Sequence, residues 1–139
     1  MEQVYVGIDV AKDRLDVHLR PSDKAFAVTR DGKGLAELVE QLQALSPVLI
    51  VMEATGGFET VVASALSGAQ LPLAVVNPRQ IRDFARAIGR LAKTDALDAQ
   101  VIALFAERVP IVPRPLPDAE ARYLSELVAR RAFLDRYQA

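Results

Sequence analysis

A chain of 139 residues with 51% hydrophobic side chains can bury one real core and is too apolar for wholesale disorder. The absence of cysteine excludes disulfides, thiolate catalysis and cysteine-ligated zinc, and a single histidine excludes a histidine-based zinc site. A formal net charge of −1 excludes a generic DNA-coating protein, so any nucleic-acid contact has to come from local clustering of cations.

The opening residues carry no charged-then-apolar leader, and no apolar run approaches the roughly 20 residues needed to span a bilayer. The expected location is therefore the cytoplasm, with no membrane partner. Residues 4–10 read as a strand with few polar interruptions, suited to the middle of a sheet covered on both faces. Residues 15–20 alternate, which predicts a half-exposed strand with Leu15, Val17 and Leu19 inward and His18 on the solvent side. Residues 25–29 give a third strand closed by the turn signal Asp31-Gly32, and the short connections favour an antiparallel meander.

Leu35, Leu38, Val39, Leu42 and Leu45 then fall at helical spacing up to the stop at Ser46-Pro47. Residues 48–52 form a buried strand, residues 58–66 a helix after the Thr55-Gly56-Gly57 turn, and residues 71–76 another buried strand. Asn77-Pro78 is a helix start, with Asn as N-cap and Pro in the first helical position. That helix runs to about Ile88, breaks at Gly89, and is followed by another over residues 94–107.

Strands joined through a helix run parallel. The order βββαβαβα therefore describes an α/β fold, a mixed five-stranded sheet with flanking helices, over residues 1–108. Pro110, Pro113, Pro115 and Pro117 mark residues 109–117 as a linker of extended character. Residues 118–139 read as the start of a long helix with Leu124, Leu127 and Leu134 on a heptad-like seam interrupted by Arg131. This helix carries no stop signal and is expected to continue in a longer protein; its Arg122, Arg130, Arg131 and Arg136 suit a partner helix or an RNA, oligomerisation being the plainer use.

Four acids hold the chemical interest: Asp9, Glu53, Asp95 and Asp98. Two of them close apolar runs, Tyr5-Val6-Gly7-Ile8-Asp9 and Val48-Leu49-Ile50-Val51-Met52-Glu53, where an unneutralised carboxylate is costly. The other two stand three apart in a helical stretch, which places them on one face. Singly, each has an ordinary use: Asp9 as a turn former, Glu53 at a strand-to-helix turn, Asp95 as an N-cap, Asp98 as a solvated surface group. Gathered by the fold, they would repel one another unless protonated or bound to a hard divalent ion such as Mg²⁺ or Mn²⁺.

A second signal precedes the acidic pair. Arg79, Arg82, Arg86, Arg90 and Lys93 recur at steps of three and four opposite Ile81, Phe84, Ala85 and Ile88, offset only by Asp83. On an unbroken helix this is a basic stripe suited to phosphate backbones, with Gly89 as the point of a bend. Lys12, beside Asp9, can reach a phosphate or neutralise the acids, whereas Asp16 reads as solvated.

The blocks Gly7-Ile8-Asp9-Val10-Ala11-Lys12 with Leu15-Asp16-Val17, Met52-Glu53-Ala54-Thr55-Gly56-Gly57-Phe58-Glu59, Asn77-Pro78-Arg79-Gln80 through Asp83-Phe84-Ala85, and Ala92-Lys93-Thr94-Asp95-Ala96-Leu97-Asp98-Ala99 resemble the Asp-Glu-Asp-Asp transposases of bacterial insertion sequences. The resemblance covers residues 4–108 and implies a ribonuclease-H-like domain similar to the Holliday-junction resolvase RuvC. It places the family's metal-binding, catalytic acids on Asp9, Glu53, Asp95 and Asp98. It further implies Mg²⁺-dependent phosphoryl transfer on DNA, guidance by an RNA, a nucleoid-associated dimer or tetramer, and a second domain whose serine attacks DNA.

Three other readings stay open: a stand-alone junction endonuclease, a non-catalytic nucleic-acid-binding or dimerisation module, and a sugar-kinase or actin-like ATPase. The last lacks the expected glycine-rich phosphate loops, since Val10-Ala11-Lys12 follows Asp9 and only Gly56-Gly57 is paired elsewhere.

Overall fold

The computed structural model describes residues 2–90 and 97–113. The strands are β1 (Tyr5–Val10), β2 (Arg14–Arg20), β3 (Ala25–Thr29), β4 (Leu49–Glu53) and β5 (Leu73–Val76). The helices are α1 (Gly32–Leu45), α2 (Glu59–Gly68), α3 (Pro78–Ala87) and α4 (Ala99–Arg108). The strands form one five-stranded sheet in the order β3-β2-β1-β4-β5. β1, β2 and β3 pair antiparallel, as the meander requires, while β1–β4 and β4–β5 are parallel because a helix returns the chain each time.

Alternation along the strands divides the molecule into two cores. On one face Val6, Ile8 and Val10 of β1, Leu15, Val17 and Leu19 of β2 and Ile50 and Met52 of β4 pack with Leu38 and Leu42 of α1 and Val62 and Leu66 of α2. On the other, Leu49 and Val51 of β4 pack with Ile81 and Ala85 of α3 and Val101, Ile102 and Phe105 of α4. The Phe84 and Phe105 rings meet edge to face at 5.6 Å, joining α3 to α4.

Gly7 decides how closely α4 approaches the sheet. A Cβ there would stand 2.2 Å from the Ala103 nitrogen and 2.5 Å from the Ala99 carbonyl oxygen, so the helix backbone rests directly on β1. Helix ends are capped by side chains where the sequence supplies them. Asp31 accepts from the Gly34 N–H at 2.8 Å, and Asn77 from the Arg79 N–H at 2.9 Å. α3 closes with Gly89 in the left-handed region (φ 71°), Arg90 N–H bonding to Ala85 O and Gly89 N–H to Arg86 O.

Two expectations change. His18 is buried, at 9% relative exposure, because α4 covers the polar face of β2 as well as β1. Its Nε2 lies 3.0 Å from Asp23 Oδ1, and Arg20 bridges Asp23 at 2.7 Å to Glu107 of α4 at 3.0 Å. α4 also begins later than expected, at Ala99, with Asp98 in extended conformation (φ −119°, ψ 172°) as its N-cap. Asp98 is thus not a helix-face residue three positions after Asp95. Residues 109–113 lack regular secondary structure. The remainder of the expected linker, the expected helix over 118–139, Lys93 and Asp95 lie outside the described residues. Among the described residues no helix is long and apolar enough to cross a membrane.

Candidate active site

Asp9 and Glu53 stand near the carboxyl ends of two adjacent parallel strands. The register pairs Ile8 with Met52, and extending it by one residue sets Asp9 beside Glu53. Both alternate onto the α3/α4 face, Asp9 with Gly7 and Glu53 with Val51. Asp98 reaches the same end from the start of α4, which runs back along β1 so that Glu107, near its other end, meets Arg20. The close seating on Gly7 is what draws the start of α4 towards β1.

The electrostatics record this gathering. Burial pushes the Asp9 carboxyl above its ordinary range, and the Asp16 and Asp98 carboxylates push it further. Glu53 is raised first by burial and then by Asp9, with Glu59 adding to the effect and Arg82 opposing it. Arg82 comes from the second turn of α3, which starts at this edge because Val76, two residues before Pro78, pairs with Glu53. Asp98 accepts from the Val101 N–H at 2.9 Å, so one of its oxygens serves the helix cap.

Of the sequence-predicted acids, Asp9, Glu53 and Asp98 are therefore brought to one end of the sheet. Asp95 lies outside the described residues. Among the described residues no group of three or more His, Cys, Asp or Glu side chains is arranged to hold a metal ion. The donors are nonetheless of the kind a hard divalent cation takes, all carboxylate oxygens, with Asp16 and Asp98 near Asp9 and Asp9 near Glu53.

The basic stripe is shorter than its sequence period suggests. Arg79, Arg82 and Arg86 line a shallow groove with Asn77, Pro78 and Asp83 on α3. Arg86 lies 3.8 Å from Asp83, and Arg82 bears on Glu53. Arg90 is exposed and outside the helix, because α3 ends at Ala87 and Gly89 takes up the left-handed conformation that closes it. Lys12 is exposed in the turn after β1, where its carbonyl accepts from Arg30 Nε at 2.6 Å.

Two residues matter more here than their sequence context suggested. Asp16 is not simply solvated: it is the direct cross-strand partner of Asp9, half-buried and ion-paired with Arg14. Hairpin register was the available signal. Glu59 ties down the turn that follows Glu53, accepting from the Thr55 hydroxyl and from the Gly57 N–H at 3.0 Å. Burial opposes its ionisation, but those hydrogen bonds prevail and hold its carboxyl below the ordinary range.

Comparison with known proteins bears on family and fold. The chain is similar to the pilin gene-inverting proteins of Moraxella lacunata and Moraxella bovis, 30% identical in each case over 94% of this chain and 42% of the relative. It thus spans less than half the length of these curated relatives. The fold is similar to Thermus thermophilus RuvC in complex with a Holliday junction substrate, with a TM-score of 0.52, 18% identity, and coverage of 81% of this chain and all of that one. Residues 6–136 match the transposase family of the IS110 Asp-Glu-Asp-Asp type. With nearly its whole length so matched and a RuvC-like sheet beneath it, this chain belongs to the IS110 transposase family.

Proposed function

We propose that this chain is the metal-dependent catalytic domain of a DNA recombinase, cleaving and transferring strands during insertion-sequence transposition. The observation that carries the reading is the meeting of Asp9, Glu53 and Asp98 at one sheet end beside the α3 arginines. The relatives named for gene inversion support DNA rearrangement as the class of reaction.

Asp9, Glu53, Asp95 and Asp98 would hold Mg²⁺ or Mn²⁺. A cation there supplies Lewis-acid polarisation of a phosphoryl oxygen and neutralises developing charge. The protein's own part is positional: Gly7 lets α4 present Asp98, while Glu59 restrains the turn behind Glu53. Arg79 and Arg86 engage phosphates by charge-assisted hydrogen bonds, with Lys12, Arg90 and Lys93 extending the positive surface. Arg82 sits where the phosphate track meets the carboxylates and offsets their repulsion. Action as a dimer or tetramer and guidance by an RNA remain part of the proposal through the family resemblance. We further propose the division into a RuvC-like domain over 1–108, a linker over 109–117 and a helical segment from 118.

Titrating Mn²⁺ should raise the melting temperature, and Asp9→Ala should remove that response; an unchanged response would sink the metal site. DNA binding should weaken steeply with salt, and Arg82→Ala with Arg86→Ala should flatten the slope by about two counter-ions. A second reading is a non-catalytic nucleic-acid-binding module, which the groove lined by Arg79, Arg82 and Arg86 would serve by itself. Salt-sensitive DNA binding with no response to Mn²⁺ would select it.

A further inference from the structure

Asp16 lies opposite Asp9 in the β1–β2 register. Side chains directly opposed in an antiparallel pair share a face, with Cβ atoms about 4.5–5.5 Å apart, and like charges so placed repel. The chain nonetheless sets a second carboxylate at this position and gives it a cation of its own. Arg14 approaches with Nε at 2.9 Å and Nη2 at 2.8 Å, both contacts falling on Oδ1. The pairing therefore uses one oxygen of a group with capacity to spare.

As a structural device the pair is weak. The side chains are 66% and 43% exposed, and ion pairs at such positions contribute little to folding. The turn between the strands is closed without it, by the Ala11 N–H bonding to the Arg14 carbonyl at 2.9 Å. What the pair does place opposite Asp9 is a carboxylate with its own counter-charge.

We propose that Asp16 is a positioning residue of the cation site, strengthening divalent-ion binding at Asp9, and that Arg14 sets how much of its charge is available. This rests on the reading of Asp9 as a cation ligand. It adds to the family's acidic tetrad a tuning pair formed wholly within the β1–β2 hairpin. When Asp9 carries a divalent ion, the ion and Arg14 compete for Asp16, so each weakens the other's hold.

The test is Mn²⁺ binding to the whole 139-residue chain, measured by calorimetry and by the Mn²⁺-induced shift in melting temperature. One unit charge acting on a divalent ion across a strand pair, half-screened by water, corresponds to about tenfold in affinity. Asp16→Asn should weaken Mn²⁺ binding by about that factor, and Arg14→Gln should tighten it several-fold. Removing Arg14 should gain less in the Asp16→Asn background than in the parent, because Arg14 then has no carboxylate to withhold from the ion. If Asp16→Asn and Arg14→Gln both bind as the parent does while Asp9→Asn abolishes binding, the tuning pair is refuted and the cation site stands. If Asp9→Asn also binds Mn²⁺ normally, the proposed function itself has failed. Should Asp16→Asn not fold, Arg14→Gln decides: tighter binding supports the pair, unchanged or weaker binding overturns it.

Discussion

The two faces of the sheet are built from alternate residues of the same strands and do opposite things. The α1/α2 face is continuous aliphatic surface, with Val6, Ile8, Leu15, Val17, Ile50 and Met52 all essentially inaccessible. The α3/α4 face is apolar at one end, through Leu49 and Val51, and charged at the other, through Asp9, Glu53 and Asp16. Both faces bury an apolar core, but only the α3/α4 face also carries carboxylates that repel one another. The lesson is that one face is apolar along the whole strand, so the other can give up its carboxyl end to acids while its remaining length still packs.

The largest expected effect breaks the aliphatic face. Ile8→Ala should cost about 2–5 kcal/mol in urea unfolding, while folded protein keeps its Mn²⁺ response. Loss of the response in the folded variant would show that the two faces are not separable. Gly7→Ala attacks the other face by forcing α4 away from β1, and should cost about 1–3 kcal/mol. Unlike Ile8→Ala, it should weaken Mn²⁺ binding in protein that remains folded.

Asp98 has two duties that substitution can separate. Asp98→Ala should cost about 1 kcal/mol through the lost cap, measured by thermal unfolding. Asp98→Ser should restore most of that stability, because serine caps equally well, but should leave Mn²⁺ binding weakened. Equal Mn²⁺ affinity in Asp98→Ser and parent would confine Asp98 to capping.

The smallest effect concerns pH. Asp9 and Glu53 have folded-state pKa values raised above their unfolded ones. Their contribution to stability is therefore present below the unfolded pKa and is lost as pH rises through the raised folded pKa. Without divalent ions, Asp9→Asn should stabilise the protein at neutral pH by at most about 1 kcal/mol after solvent screening, and should not do so well below the ordinary carboxylate range. A destabilised Asp9→Asn at neutral pH would mean that Asp9 is satisfied rather than crowded.

Much of this architecture was readable in the residues. Period-two alternation located β2, nearly uninterrupted apolar runs located β1 and β4, and Asn77-Pro78 located the start of α3, because these are local properties of the backbone. The apolar spacing of α1 likewise identified Leu38 and Leu42 as core. Local signals erred where a distant element intervened. His18 looked exposed because nothing in β2 reveals that α4 lies over it. Asp98 looked helical because a cap residue and a first-turn residue have the same composition.

The sequence by itself determined the strands, the helices, their parallel or antiparallel senses and the residue types at the strand ends, since all of these follow from short-range sterics and periodicity. Only the tertiary structure decided which carboxylates face one another. Asp9 meets Asp16 through hairpin register, approaches Glu53 through the β1–β4 pairing, and feels Asp98 because a glycine lets a helix backbone rest on the sheet. Those proximities depend on packing between segments far apart in the chain, and charge repulsion is set by distance in space rather than by separation in sequence.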